Sequence, residues 1–172
     1  MKCKRTTKNR ACAFTMVEII VVMVILIIAA MLAVPMVSSA ADMQLQTAAN
    51  VITADLEYAK NLAITRQESY SVVFSPGTSS YEIHDSGGVI AHPQRAGMGF
   101  VVSFEDEKRL NRVSIITADF DSVQTISFDY LGSPYSGLGT ATPLNSGVIT
   151  LQADANTTVV NIEPVTGYVT IQ

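Results

Sequence analysis

The chain has 172 residues, 48% of them hydrophobic, two cysteines and a formal net charge of −4, enough for one ordinary domain with a small appendage. Both cysteines, Cys3 and Cys12, lie at the front, which excludes a disulfide or a thiolate metal site from everything after residue 13. Five of the eleven basic residues (Lys2, Lys4, Arg5, Lys8, Arg10) also lie there, so the remainder sets six basic against fifteen acidic residues, and its formal −9 does not attract phosphate backbones.

No acidic residue precedes Phe14, and residues 19–34 are then sixteen consecutive apolar side chains. Counted from Phe14, the run holds only two polar residues, Thr15 and Glu18. As a helix it is roughly 31 Å long, about the thickness of a bilayer's hydrocarbon core. A basic end before such a span stays on the cytoplasmic side, which predicts a single-pass protein of the inner membrane with the rest of the chain facing outward.

Three readings of this end compete. A secretory signal peptide would use the small residues Ser38, Ser39 and Ala40 before Ala41, but the apolar run exceeds an ordinary h-region and carries an acid near its start. A plain membrane anchor explains the length and leaves Glu18 unexplained, since an intramembrane acid costs roughly 2.5 to 3.5 kcal/mol. The third rests on residues 13–18, Ala-Phe-Thr-Met-Val-Glu, which resemble the prepilin cleavage and methylation signal of type IV pilins and type II secretion pseudopilins.

That resemblance implies that a prepilin peptidase and methyltransferase cuts between Ala13 and Phe14 and N-methylates Phe14. Glu18 then serves assembly, its carboxylate neutralising the new amine of a neighbouring subunit inside a low-dielectric bundle. Pro35 falls where many family members carry a helix-kinking proline. Ala13 departs from the usual glycine before the cut. The expected division is a leader over 1–13, a transmembrane and assembly helix over 14–35, an amphipathic helix over 36–68 and a β-rich head over 69–172.

Within the second helical part, Leu45, Ala48, Ala49, Ile52, Leu56, Ala59 and Ala63 recur at spacings of three and four, one apolar face suited to packing under a head. Asp42 is a candidate cap, and Glu57 and Lys60 suit a solvent face. After Glu68 the period becomes strand-like, with expected strands at 70–74, 81–84, 99–104, 112–116, 125–130, 147–153, 158–162 and 168–171. Ser75-Pro76-Gly77 closes a first hairpin and residues 163–167 a terminal one. The glycine- and proline-rich stretch 131–146 reads as a long loop, and no internal repeat is present. A helix followed by strands predicts an α+β fold: a long N-terminal helix packed on an antiparallel, two-sheet, pilin-like head.

Residues 54–74, the run 128–134 (Phe-Asp-Tyr-Leu-Gly-Ser-Pro) and the closing 161–171 (Asn-Ile-Glu-Pro-Val-Thr-Gly-Tyr-Val-Thr-Ile) are similar to the H-type minor pseudopilins and FimT-like minor pilins, the GspH/FimT family. The resemblance implies a non-enzymatic structural subunit of a type II secretion pseudopilus or a type IV pilus. Its partners would be the processing enzyme, other pilin or pseudopilin subunits and an inner-membrane assembly platform. A DNA-uptake or adhesive minor pilin with a ligand-binding head is the alternative. Some FimT-like relatives bind DNA through arginines near the C-terminal glycine, but Gly167 is followed here by Tyr168, Val169 and Thr170, so no nucleic-acid binding is expected.

Catalytic chemistry finds little material. Ser71, His84 and Asp85 can be drawn as a nucleophilic set, but side chains on a strand surface are the ordinary reading. His84 and His92 lack zinc spacing, and Gly137 and Gly139 do not complete a dinucleotide fingerprint. Residues 105–109, of both signs, read as a solvated turn. Asp119 and Asp121 are conceivable calcium ligands without a recognised loop. No metal or cofactor is expected.

Overall fold

A computed structural model describes residues 15–172, with side chains described for all of these except 32–39. The expected leader and the expected cut site at Ala13 and Phe14 lie outside these residues. The chain divides into two compact units, Met1–Ser38 and Ser39–Gln172, and helix α1, Met16–Arg66, is assigned without a break through Pro35.

In the first unit every residue from 15 to 31 is exposed. Val and Ile dominate this stretch, and their branched side chains restrict χ1 and make them only modest helix formers in water. A helix apolar on all sides needs apolar surroundings to account for it.

In the second unit the predicted stripe is the buried face of the helix. Leu45, Ala48, Ala49, Ile52, Leu56, Ala59 and Ala63 all lie in the core, joined by Ala41. The alanines of this face allow close approach to the sheets, and Leu45, Ile52 and Leu56 fill the space between. The helix ends at Arg66, two residues short of the expected Glu68, where Gln67 turns left-handed at φ 56°.

Eleven strands follow: β1 Tyr70–Ser75, β2 Ser80–Asp85, β3 Gly88–Val89, β4 Val101–Ser103, β5 Val113–Phe120, β6 Thr125–Phe128, β7 Pro134–Ser136, β8 Thr142–Pro143, β9 Gly147–Ala153, β10 Asn156–Ile162 and β11 Val169–Ile171. They form a seven-stranded sheet in the order β3-β2-β1-β6-β7-β8, with β4 also paired to β2, and a four-stranded sheet in the order β11-β10-β9-β5. All pairings are antiparallel, including both expected hairpins, β1 with β2 and β10 with β11.

Two expectations are corrected. Strand β5 runs to Phe120 instead of stopping at Ile116, because a bulge between Ile115 and Thr117 shifts the alternation. Val113, Ile115, Ala118 and Phe120 thereby all face the core, a pattern that strict period-two reading misses. The stretch 131–146 is not a loop throughout, since β7 and β8 lie within it. Buried Ser127 fixes it: its hydroxyl accepts from Ser71 Oγ at 2.7 Å and donates to the Gly137 carbonyl at 2.5 Å. The Gly139 amide adds a further bond to Ser127 Oγ at 3.1 Å.

The core is continuous from the stripe into both sheets, with Phe74 as a hub whose ring centroid lies 5.4 Å from Tyr81 and 5.6 Å from Phe120. Polar ties fasten the helix along its head-packed length. Asp42 bonds Asn156, and Gln44 Oε1 accepts from the Arg112 amide at 3.3 Å. Asp55 accepts from the Tyr81 hydroxyl at 2.5 Å.

Candidate functional site

The first place with functional geometry is the start of α1. The Thr15 carbonyl accepts the first helical bond from the Ile19 amide at 3.2 Å, which makes Thr15 the N-cap. Thr15 Oγ1 accepts from the Glu18 amide at 3.2 Å, and Glu18 Oε2 reaches back to the Thr15 amide at a long 3.4 Å. This reciprocal arrangement is a capping box, and the Thr-x-x-Glu spacing that announces it was legible in the sequence. The carboxylate also sits at the positive end of the helix dipole. Glu18 is therefore exposed and engaged with its own helix terminus, and the apolar surface of residues 16–31 surrounds the helix behind it. No helix among the described residues is long and apolar enough to cross a membrane.

In the second unit the structure brings together the two C-terminal patterns read in the sequence. Asp129 folds the run 128–134 into a tight turn, its Oδ1 accepting from the amides of Leu131 at 2.9 Å and Ser133 at 2.8 Å. Gly132 and Gly167 both have positive φ, 83° and 58°, and a Cβ built on Gly167 would lie 3.2 Å from the Gly132 carbonyl oxygen. Lys60, expected on a solvent face beside Glu57, instead donates from Nζ to the carbonyls of Thr166 at 2.9 Å and Gly167 at 3.4 Å. Helix, turn and terminal hairpin thus meet at one corner, where Tyr130, Leu131, Val165 and Tyr168 are exposed.

The drawn catalytic set does not assemble. Ser71 and His84 are register partners on β1 and β2, but the Ser71 hydroxyl engages Ser127, while His84 Nε2 lies 2.8 Å from Glu82. Asp85 turns its Oδ1 to the Gly87 amide at 2.7 Å. Asp119 and Asp121 are likewise used by backbone: Asp119 accepts from the Ser122 amide at 2.6 Å, and Asp121 from the amides of Asn145 at 2.8 Å and Ser146 at 3.1 Å. Among the described residues no three His, Cys, Asp or Glu side chains are grouped to hold a metal ion.

An antiparallel two-sheet head packed on the C-terminal part of one N-terminal helix defines a pilin-like α+β fold. The chain is similar to the minor pseudopilin EpsH from the type 2 secretion system of Vibrio cholerae, with a TM-score of 0.52 at 10% identity over 75% of this chain and 96% of that one. It is also similar to the type IV minor pilin FimU of Pseudomonas aeruginosa PAO1 in two crystal forms. TM-scores there are 0.46 and 0.48 at 19% and 18% identity, covering 74% of this chain and 87% and 92% of the other. The likeness to EpsH shows the fold expected from the sequence. No family profile matches the chain, and no curated protein does.

Proposed function

We propose that the chain is a structural, non-enzymatic subunit of a type II secretion pseudopilus or a type IV pilus, cut before Phe14 and N-methylated there. The observation that carries this reading is the helix N-terminus: residues 16–31 expose apolar side chains in every direction behind a single acid, while the head buries its own core. Such a surface calls for lipid first and other helices afterwards. The basic leader and the uninterrupted apolar run 19–34 support insertion in the inner membrane with the head outward. The pseudopilin-like fold supports assembly with other pilin subunits, and the leader signal supports the peptidase and assembly platform as further partners.

In this reading the apolar faces of residues 19–34 pack against neighbouring helices, Pro35 loosens the helix, and Glu18 fixes register by meeting the Phe14 amine of the next subunit. The test is the intact mass and N-terminal sequence of the protein extracted from membranes of its host. An N-methylated Phe14 start is expected; a start at Met1 or at Ala41 overturns the reading. Glu18→Ala is expected to insert in the membrane normally and to enter filaments less than wild type, and equal incorporation refutes the pairing role.

A further inference from the structure

Between the head-packed part of α1 and the segment that leads into and out of β4 lies a cleft of about 840 Å³, within the size range of ordinary ligand sites. Its apolar side is an aromatic stack. The buried Phe100 ring lies between Tyr58, centroids 5.7 Å apart at 21°, and His92, 4.7 Å apart at 18°. Met98 lines the opening and is 62% exposed.

The charges in the cleft do not balance. Asp55, Asp106 and Glu107 line it with one guanidinium, Arg95, and Arg95 Nη2 is committed to Glu107 Oε1 at 2.8 Å. Asp55 and Asp106 make no salt bridge among the described residues, and the one other titratable group acting on Asp55 from the lining is the His92 imidazole, which is stacked on Phe100. Asp55 receives one hydrogen bond, from the Tyr81 hydroxyl to Oδ2, and no other donor reaches it among those residues. A carboxylate held against an aromatic wall and open to a cleft fits a cation whose stem is apolar, since the stem packs on the rings while the charge meets the acid.

We propose that this cleft is a binding site for a guanidinium or ammonium group carried on an aliphatic stem, with Asp55 as its main anchor, Asp106 at the rim, and Tyr58 and Met98 flanking the stem. That chemistry has two sources, a free alkyl amine and a lysine or arginine side chain of another protein. The site stands independently of the filament reading.

The experiment uses the full chain in detergent micelles, labelled with ¹³C at its methionine methyls and titrated with agmatine and with the neutral analogue butylurea. Met98→Leu assigns the Met98 resonance among the seven methionines. A saturable shift of the Met98 methyl is expected, with agmatine binding about tenfold or more tighter than butylurea and losing about tenfold in Asp55→Asn. Should Asp55→Asn lose the native methyl spectrum, Asp106→Asn, at an exposed residue, is expected to weaken agmatine several-fold. The proposal is overturned by no saturable shift, by equal binding of butylurea, or by unchanged affinity in a folded aspartate variant. A photo-crosslinker placed at position 98 in host membranes separates the sources. An adduct mapped to a lysine or arginine assigns a protein side chain, and agmatine binding without a peptide adduct assigns a free amine.

Discussion

Replacing Gly167 by alanine tests whether the corner joining helix, turn and terminal hairpin is as tight as its geometry requires. Gly167 has φ 58°, and its added Cβ would lie 3.1 Å from Phe128 Cε1 and 3.2 Å from the Gly132 carbonyl oxygen. The left-handed backbone costs an alanine about 1 to 2 kcal/mol. Neither neighbour is a flexible side-chain tip, so crowding adds about 1 to 3 kcal/mol, for a combined loss of about 3 kcal/mol. Gly137 separates the two contributions: its φ is 82° but nothing lies within 4 Å of its Cβ, so Gly137→Ala carries the backbone cost alone. Gly77 has open space and no left-handed φ, and Gly77→Ala should be neutral to slightly stabilising.

Thermal unfolding of the full chain in mild detergent, followed by near-UV circular dichroism, reports the three variants. The chain has no tryptophan, and the fully buried Tyr70 and Tyr81 supply the signal. Gly167→Ala is expected to lower Tm by about 10 °C and Gly137→Ala by about half of that. If Gly167→Ala melts no lower than Gly137→Ala, the close approach of the hairpin to the turn is wrong.

Leu56, 1% exposed in the middle of the helix stripe, should cost about 2 to 5 kcal/mol on truncation to alanine, read by the same melt; a loss below about 1 kcal/mol would mean that the stripe is not the core contact. Burial raises the Asp55 carboxyl above 3.8, against the lowering effects of the Tyr81 hydroxyl and of His92. The folded chain therefore keeps this proton where the unfolded chain has released it, so its contribution to stability falls as pH rises from about 3.8 through the folded value. The stability difference between wild type and Asp55→Asn, measured by melts across that window, is expected to move toward the Asn variant as pH rises; movement toward wild type refutes burial as the dominant cause.

The elements read correctly from sequence are those whose burial has a single period. The helix stripe from Leu45 to Ala63 and strand β9, which matches residue for residue, each face the core with one side only. Strand β5 defeated the reading because a bulge changes its phase midway and two exposed residues, Ile116 and Thr117, follow one another. The short strands β7 and β8 were hidden behind glycines and prolines that mark breaks. What orders them is a hydroxyl network centred on Ser127, a residue with no local signal in the sequence. The bonds of Lys60 have no local signal for a similar reason, since its partners are carbonyls more than a hundred residues away. The capping box of Thr15 and Glu18 and the turn closed by Asp129 are by contrast written in plain local spacing.

That capping box changes how the energetics of Glu18 are framed. Its carboxylate accepts one long hydrogen bond, 3.4 Å from the Thr15 amide, at the N-terminus of its own helix. In the proposed assembly, meeting another chain's amine would replace that single long bond, so the net gain per subunit would be the charge-assisted pair less the cap it displaces. Such an exchange would favour the aligned position by no more than that difference, since a misaligned neighbour leaves the existing cap in place, and it would leave the step reversible. A polymer joined through such exchanges would correct its register as it grew and shed subunits with each released carboxylate returning to its own cap.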